Sequence, residues 1–473
     1  MESYHFLFPY ERVPQGSRIV IYGAGKMGQA YLEQMKLTGY CKVMALADRN
    51  YAQYQNLVVP VISPEKIHDC SPDVVVIALR VQNHLKEFLS VLDAQGISQE
   101  KIICGEERQE ISIFMPVVER DDFTHQSHAC DEARESLLIY CMGGFGDFIV
   151  QKKTVETLME LSPGLAIDIL CSHGKDFLQF LYADAPQVHG IELNLGMRYE
   201  AMRDRYAAAI TFSGHVSAIV DHLREDCPFP SHLAQVFQSL QAQAKDMVHS
   251  MQMPLYAAFY RSIYRGENCY GRMTFGGTIP CRDQKVHIPQ DAAAERMLSE
   301  KRLGAYVTVN YGNGSAHEER SVAKSWRRDR FETVIAAIHR GFPELGVVQI
   351  GPGDAVPLAG AGHDFLGVPW PMVAELLRHS LLHIDIEGGL VHLASQIGTK
   401  CLVLFGPTQI EDVGYPNNIN LRAGTCHNCY GLYPDINTCA RGLANPECMM
   451  SITPEMVMDK VRKYLGTKKG ASV

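Results

Sequence analysis

The stretch Glu387–Thr408, EGGLVHLASQIGTKCLVLFGPT, decides the fold. LVHLASQIG reads as a helix, and KCLVLFGPT reads as a strand that runs into a small-residue loop. A helix followed by a buried strand and a glycine-containing loop is one unit of a parallel α/β layer system. At its start, Gly388 and Gly389 leave backbone N–H groups open at the helix N-terminus, where the dipole and unpaired donors suit a diphosphate. His392, within the first turn, adds a hydrogen bond or positive charge to such a group. The plainer alternative is that His392 caps a strand-end carbonyl and Glu387 caps the helix.

Upstream, GAYVTVNYGNGS, LGVVQIGPG and LLHIDIEGG are further strands with small-residue loops, separated by the helical stretches RDRFETVIAAIHRGF and PMVAELLRH. Together they make an α/β domain over residues 296–466, closed by a helix with Thr453 as N-cap and Pro454 in its first position. A flexible tail is expected at 467–473. Before it lies a second α/β domain, 136–295, opened by SLLIYCMGGFGDFIVQKKTVETLMEL. There Asp147 follows Gly143, Gly144 and Gly146 in a strand-to-helix loop. Two successive domains with loops at their C-terminal strand ends imply a cleft between them.

The N-terminal 1–120 forms a separate Rossmann-like domain, joined through a polar linker at 121–135. RIVIYGAGKMG places Gly23, Gly25 and Gly28 between a strand and a helix with dinucleotide-binding spacing, and Asp48 ends the next strand. A nucleotide or NAD(P) is one reading of this turn, and helix-on-strand packing without a ligand is the other.

Composition narrows the classes. With 46% hydrophobic and 21% charged residues, the 473-residue chain has the content of a soluble, multi-domain globular protein. A net charge of -9 speaks against a nucleic-acid-binding face. The N-terminus lacks the layout of a signal peptide, and no apolar run reaches the roughly 18 residues of a membrane span. A cytoplasmic protein with reduced thiols is expected. Of 14 cysteines, Cys426, Cys429, Cys439 and Cys448 cluster as C-x2-C-x9-C-x8-C. That spacing suits a closed, structural tetrahedral thiolate site for zinc or iron.

Two motifs carry a resemblance. GGFGDFIVQKKTVETL resembles the opening loop of the heptosyltransferase family (glycosyltransferase family 9), and EGGLVHLASQIGTKCLVLFGPT resembles its donor-binding signature. Glu387 stands where the family usually has Asp. The resemblance spans roughly residues 136 to 465. It implies a GT-B-type fold of two Rossmann-like lobes, here preceded by the separate N-terminal domain, and an inverting transfer of heptose from an ADP-heptose donor. It also implies Asp147 as the base, with Asn310, Lys324, Asp354, Glu387, Gly388, Gly389, His392 and Thr408 on the donor side; Gly312 and Ser315 are weaker phosphate-loop candidates. The acceptor would be a surface glycan, a lipopolysaccharide core or a protein Ser/Thr. Some family members carry a comparable cysteine cluster. A homo-oligomer and a position peripheral to the membrane are further expectations. Two other classes remain open: a non-catalytic sugar-nucleotide-binding scaffold, and an NAD(P)-dependent oxidoreductase acting through the N-terminal domain.

Overall fold

The computed structural model describes residues 4–6, 8–9, 12–38, 40–54, 57–78, 85–105, 108–109, 134–195, 198–252, 258–259, 262–263, 265–311, 323–424, 426–431, 439 and 443–469. Two compact units are distinct, one built on the first 115 residues and the other on most of the remainder. Gly312, Ser315 and nearly all of the expected linker lie outside the described residues.

The N-terminal unit is a five-stranded parallel sheet of β1 (Arg18–Tyr22), β2 (Lys42–Ala47), β3 (Val61–Ile62), β4 (Val74–Ile77) and β5 (Ile102–Cys104), ordered β3-β2-β1-β4-β5. The run Val74–Ile77 is buried on both faces, as a central parallel strand must be when layers cover both sides. Helix α1 (Lys26–Thr38) follows β1 through the glycine turn.

The larger unit holds two sheets. The first has β6 (Ser136–Met142), β7 (Ala166–Cys171), β8 (Val188–Leu193), β9 (Ala208–Ser213) and β10 (Ser217–Leu223), in the order β8-β7-β6-β9-β10, with only the β9–β10 hairpin antiparallel. The second has β11 (Tyr306–Asn310), β12 (Gly346–Gly351), β13 (Gly362–Leu366), β14 (His383–Ile386), β15 (Cys401–Leu404) and β16 (Ile419–Leu421), ordered β13-β12-β11-β14-β15-β16 and wholly parallel. Each sheet has its first strand in the middle and reverses direction of growth beside it. Ligands of open α/β sheets bind at that reversal, outside the carboxyl ends of the strands. It lies between β6 and β9 in one lobe, and between β11 and β14 in the other.

Five helices frame these ends: α2 (Phe145–Leu161), α3 (Cys269–Arg272), α4 (Trp370–His379), α5 (Gly389–Ile397) and α6 (Ile410–Val413). Two more, α7 (Glu447–Met450) and α8 (Pro454–Lys469), close the chain. A single apolar cluster runs through both lobes, from Ile139 and Phe148 to Val391 and Val403. At its edge the Trp370 ring sits 4.9 Å from that of Phe145 and 4.4 Å from that of Phe177, while its Nε1 donates to Asp176 at 3.0 Å. The α/β, two-lobed GT-B-type architecture preceded by a Rossmann-like sheet is therefore present. No helix among the described residues is long and apolar enough to cross a membrane.

Candidate active site

Asp147 lies in the first turn of α2, just beyond the end of β6. Its Oδ2 accepts the Gly144 N–H at 2.7 Å, so it caps its own helix. Gly143 has φ +124°, and a Cβ there would fall 2.7 Å from the Asp147 carboxyl, so only glycine leaves room for this turn. The other oxygen, Oδ1, meets Nδ1 of His215 at 2.5 Å. His215 follows the end of β9, directly across the strand reversal. Gln151 ties the two loops together by donating to Met142 O and Gly214 O, each at 2.8 Å.

His215 is itself held from behind. Its carbonyl accepts from Arg272 Nε at 2.9 Å, and its Nε2 is 3.7 Å from Asp412. Arg272 grips Asp412 with both terminal nitrogens, at 2.7 and 3.2 Å, in a buried fork-to-carboxylate pair. Burial opposes charge on Asp147, His215 and Asp412, yet the pairing outweighs it. The Asp147 carboxyl falls below its usual range, mainly through the charge and hydrogen bond of His215. The His215 imidazole rises to about 9 against burial, driven by Asp147 and then Asp412. Asp412 drops to about 2 despite its burial, because Arg272 and His215 face it. About 21% of the Asp147 side chain still faces solvent.

The glycine pair of the second lobe meets this loop. A Cβ on Gly389 would come within 2.9 Å of Phe145 Cβ, and one on Gly146 within 2.8 Å of His392 Cδ2. The N-termini of α2 and α5 therefore touch through glycines. Gly388 is the N-cap of α5 and offers no side-chain cap. Glu387, just before it, is not a helix cap: its Oε2 takes the Lys324 ammonium at 2.6 Å. Burial would raise this carboxyl, but Lys324, His392 and the Thr408 hydroxyl hold it low. Lys324 also lies 4.1 Å over the Tyr430 ring. His392 is 95% buried by its 5% exposure, and that burial pulls its pKa down to about 4 against the charges of Glu387 and Asp147. Burial thus disfavours the charged form of this imidazole, one of the two contributions expected from its sequence position.

The other donor-side candidates are placed differently. Asn310 is buried at the end of β11 and gives its Nδ2 to both Asp385 oxygens at 3.1 Å. Asp385 also lies 3.3 Å from His383 Nε2. Asp354 is exposed in the turn after β12. In the N-terminal unit, Gly23 has φ +114° and a Cβ on Gly28 would strike the Gly23 carbonyl, so both glycines serve the turn itself. Gly25 has open space, and Asp48 accepts the Ala24 N–H at 2.8 Å.

Of the four clustered cysteines, Cys426, Cys439 and Cys448 are free thiols. Burial raises Cys448 to about 12, and Cys426, Cys429 and Cys439 all push it the same way, so each of the three lies within electrostatic reach of Cys448. That donor set suits a cation chemically. Among the described residues, however, no group of three or more His, Cys, Asp or Glu is arranged to hold a metal ion.

Sequence reading missed His215, Arg272 and Asp412. Gly214–His215 at a strand end was the one available signal; nothing local marks Arg272.

No family model matches the chain, and no curated protein matches it. Among solved structures, it is similar to a glycosyl transferase family 9 protein from Veillonella parvula, at 14% identity and a TM-score of 0.47, over 70% of this chain and 97% of that one. It is similar also to the iron-containing dodecameric glycosyltransferase TibC of enterotoxigenic E. coli, at 15% identity and a TM-score of 0.44, covering 71% and 77%. A third likeness is to the E. coli heptosyltransferase WaaC with ADP, at 16% identity and a TM-score of 0.39, covering 72% and 100%.

Proposed function

We propose that this chain is an inverting glycosyltransferase that moves a sugar from a nucleotide diphosphate donor onto an acceptor hydroxyl. The carrying observation is the convergence of a solvent-reachable, His-paired carboxylate, Asp147, with the uncapped N-terminus of α5, Lys324 and His392. Asp147 takes the acceptor hydroxyl proton as that oxygen attacks the anomeric carbon. The bond from that carbon to the diphosphate oxygen breaks in the same displacement, with inversion, and the electron pair leaves on the nucleotide. The amides at Gly388 and Gly389, the His392 ring and Lys324 receive the charge that develops there. Lys324 moves from Glu387 to share its charge with the diphosphate. The sequence resemblance makes the donor ADP-heptose and the acceptor a surface glycan, lipopolysaccharide core or protein Ser/Thr.

A panel of nucleotide sugars, followed first by thermal stabilisation and then by released nucleotide, tests this reading. ADP-linked sugars are expected to stabilise most, by about 2.7 kcal/mol at a hundredfold excess over Kd. Victory of UDP- or GDP-sugars would remove the heptose assignment. Asp147→Ala should lose about 10²- to 10⁴-fold in transfer while still binding ADP; transfer at the parental rate would remove Asp147 as base. Binding without turnover in the parental chain would favour a scaffold instead.

A further inference from the structure

His392 Nδ1 lies 2.8 Å from the Tyr415 hydroxyl, which lies 2.8 Å from the Tyr270 hydroxyl. Tyr270 is in turn 2.7 Å from Gln396 Nε2. Distances alone leave the direction of such a chain open, because hydroxyls and imidazoles both donate and accept. Here the far end fixes it. Gln396 Oε1 accepts the Val286 backbone N–H at 2.9 Å, a group that can only donate. The amide is therefore oriented with its NH2 towards Tyr270 and the Gln284 carbonyl, 3.0 Å away, a group that can only accept. Tyr270 accepts from Gln396, so its own hydrogen goes to Tyr415. Tyr415 has accepted one bond and gives its hydrogen to His392 Nδ1. Among the described residues, running the chain the other way would leave the buried Tyr270 O–H without an acceptor, which buried hydroxyls rarely tolerate.

We propose that Gln396, Tyr270 and Tyr415 form a one-way hydrogen-bond relay that fixes His392 as the Nε2–H tautomer and so aims a neutral donor at the diphosphate of the sugar nucleotide. The tautomer stands on geometry alone, while the role at the diphosphate rests on the transferase reading above. Among the described residues nothing hydrogen-bonds Nε2, and a Cβ on Gly146 would lie 3.3 Å from it, so it faces the joint between the lobes beside Asp147. Burial keeps the ring uncharged, its pKa lowered to about 4. A fixed N–H differs from a cation in what it rewards: it is short-ranged and directional, and it favours an oxygen that gains charge at one place. Tyr415, Tyr270 and Gln396 are thus positioning residues acting through His392.

The full-length chain labelled with 15N-histidine reports the tautomer directly, through the distinct shifts and ring-proton couplings of protonated and bare nitrogens. His392→Gln identifies which of the 19 histidines is observed. The expected spectrum shows a protonated Nε2 and a bare Nδ1 at pH 7. Tyr415→Phe keeps the ring but removes the O–H, and should move His392 towards the other tautomer and lower transfer by about tenfold to a hundredfold, chiefly in kcat. A parental His392 found as Nδ1–H or as the imidazolium would overturn the relay, whatever the protein transfers. A correct tautomer with full transfer in Tyr415→Phe would overturn its role at the diphosphate. Should no nucleotide sugar be turned over at all, the transferase reading falls, and the spectrum still decides the relay.

Discussion

At the scale of single residues, the Asp147–His215 pair makes stability depend on pH in a defined way. His215 is raised from 6.5 to about 9, so its contribution is complete below pH 6.5 and lost as pH rises through 9. Asp147 is lowered from 3.8, so its contribution is complete above that value and lost as pH falls through its folded pKa. Both are intact between roughly pH 4 and 6.5. Denaturant melts of the parental chain and His215→Gln should therefore show a stability gap that shrinks from pH 6.5 to 9. A gap that stays constant would mean His215 does not hold its proton. The carboxylate of Asp147 was legible in the sequence because glycines on a strand-to-helix loop advertise a tight, exposed turn. Its partner was not, because His215 and Asp147 are joined only when β6 and β9 pair across the sheet.

At the scale of elements, the contact between α2 and α5 depends on the absence of side chains. Gly389→Ala would put a methyl 2.9 Å from Phe145 Cβ and 3.2 Å from the Gly146 backbone nitrogen, so one helix end must retreat. Overpacking of this kind costs about 1–3 kcal/mol. Gly466→Ala is the matched control, because Gly466 is exposed within α8 and its Cβ would meet nothing within 4 Å. There the methyl should stabilise by about 0.5–1 kcal/mol, since alanine is the better helix former. Calorimetric melts should move in opposite directions for the two variants, and transfer should fall only for Gly389→Ala. Equal, small effects would show that the helix ends have slack. The C-terminal helix was well marked: Thr453 Oγ1 accepts the Met456 N–H at 3.3 Å, as a Thr-Pro start announces. The charged stretch before Arg328–Gly341 was less so. Trp326 is fully buried and donates to the Ile452 carbonyl at 2.9 Å, and Arg330 bonds the carbonyls of Met450 and Ile452.

At the scale of the whole molecule, three sheets share one solution, a mainly parallel sheet grown outward from a central first strand. Runs of β-branched residues ending in small-residue loops made that repetition legible. Which loops would meet was not, because lobe packing depends on surfaces that no local period records. The cysteine cluster belongs to this scale, since its last member lies where the C-terminal segment packs back onto the second lobe. Met449 and Cys448 sit against Gly406, where a Cβ would strike Met449 Sδ and lie 3.2 Å from Cys448 Sγ. If the four thiols hold a structural ion, elemental analysis of protein purified without added metal should return one zinc or iron per chain. Cys448→Ser should reduce that content and lower Tm, and removal of the ion should weaken ADP binding through the neighbouring Pro407–Thr408 loop. Metal-free protein of parental stability would show that packing alone holds this segment.

The joint between the lobes has an electrostatic side as well. Two helices that meet at their N-termini present partial positive charge to each other. Asp147 answers for one of them, and α5 has no such capping side chain. Cohesion at this face comes from the rings of Phe145, Phe177 and Trp370 together with the buried Arg272–Asp412 pair. Under the transferase reading, an anionic donor group at the start of α5 would serve as counter-ion to the joint, so that the substrate to be broken would also draw the two halves of the site together.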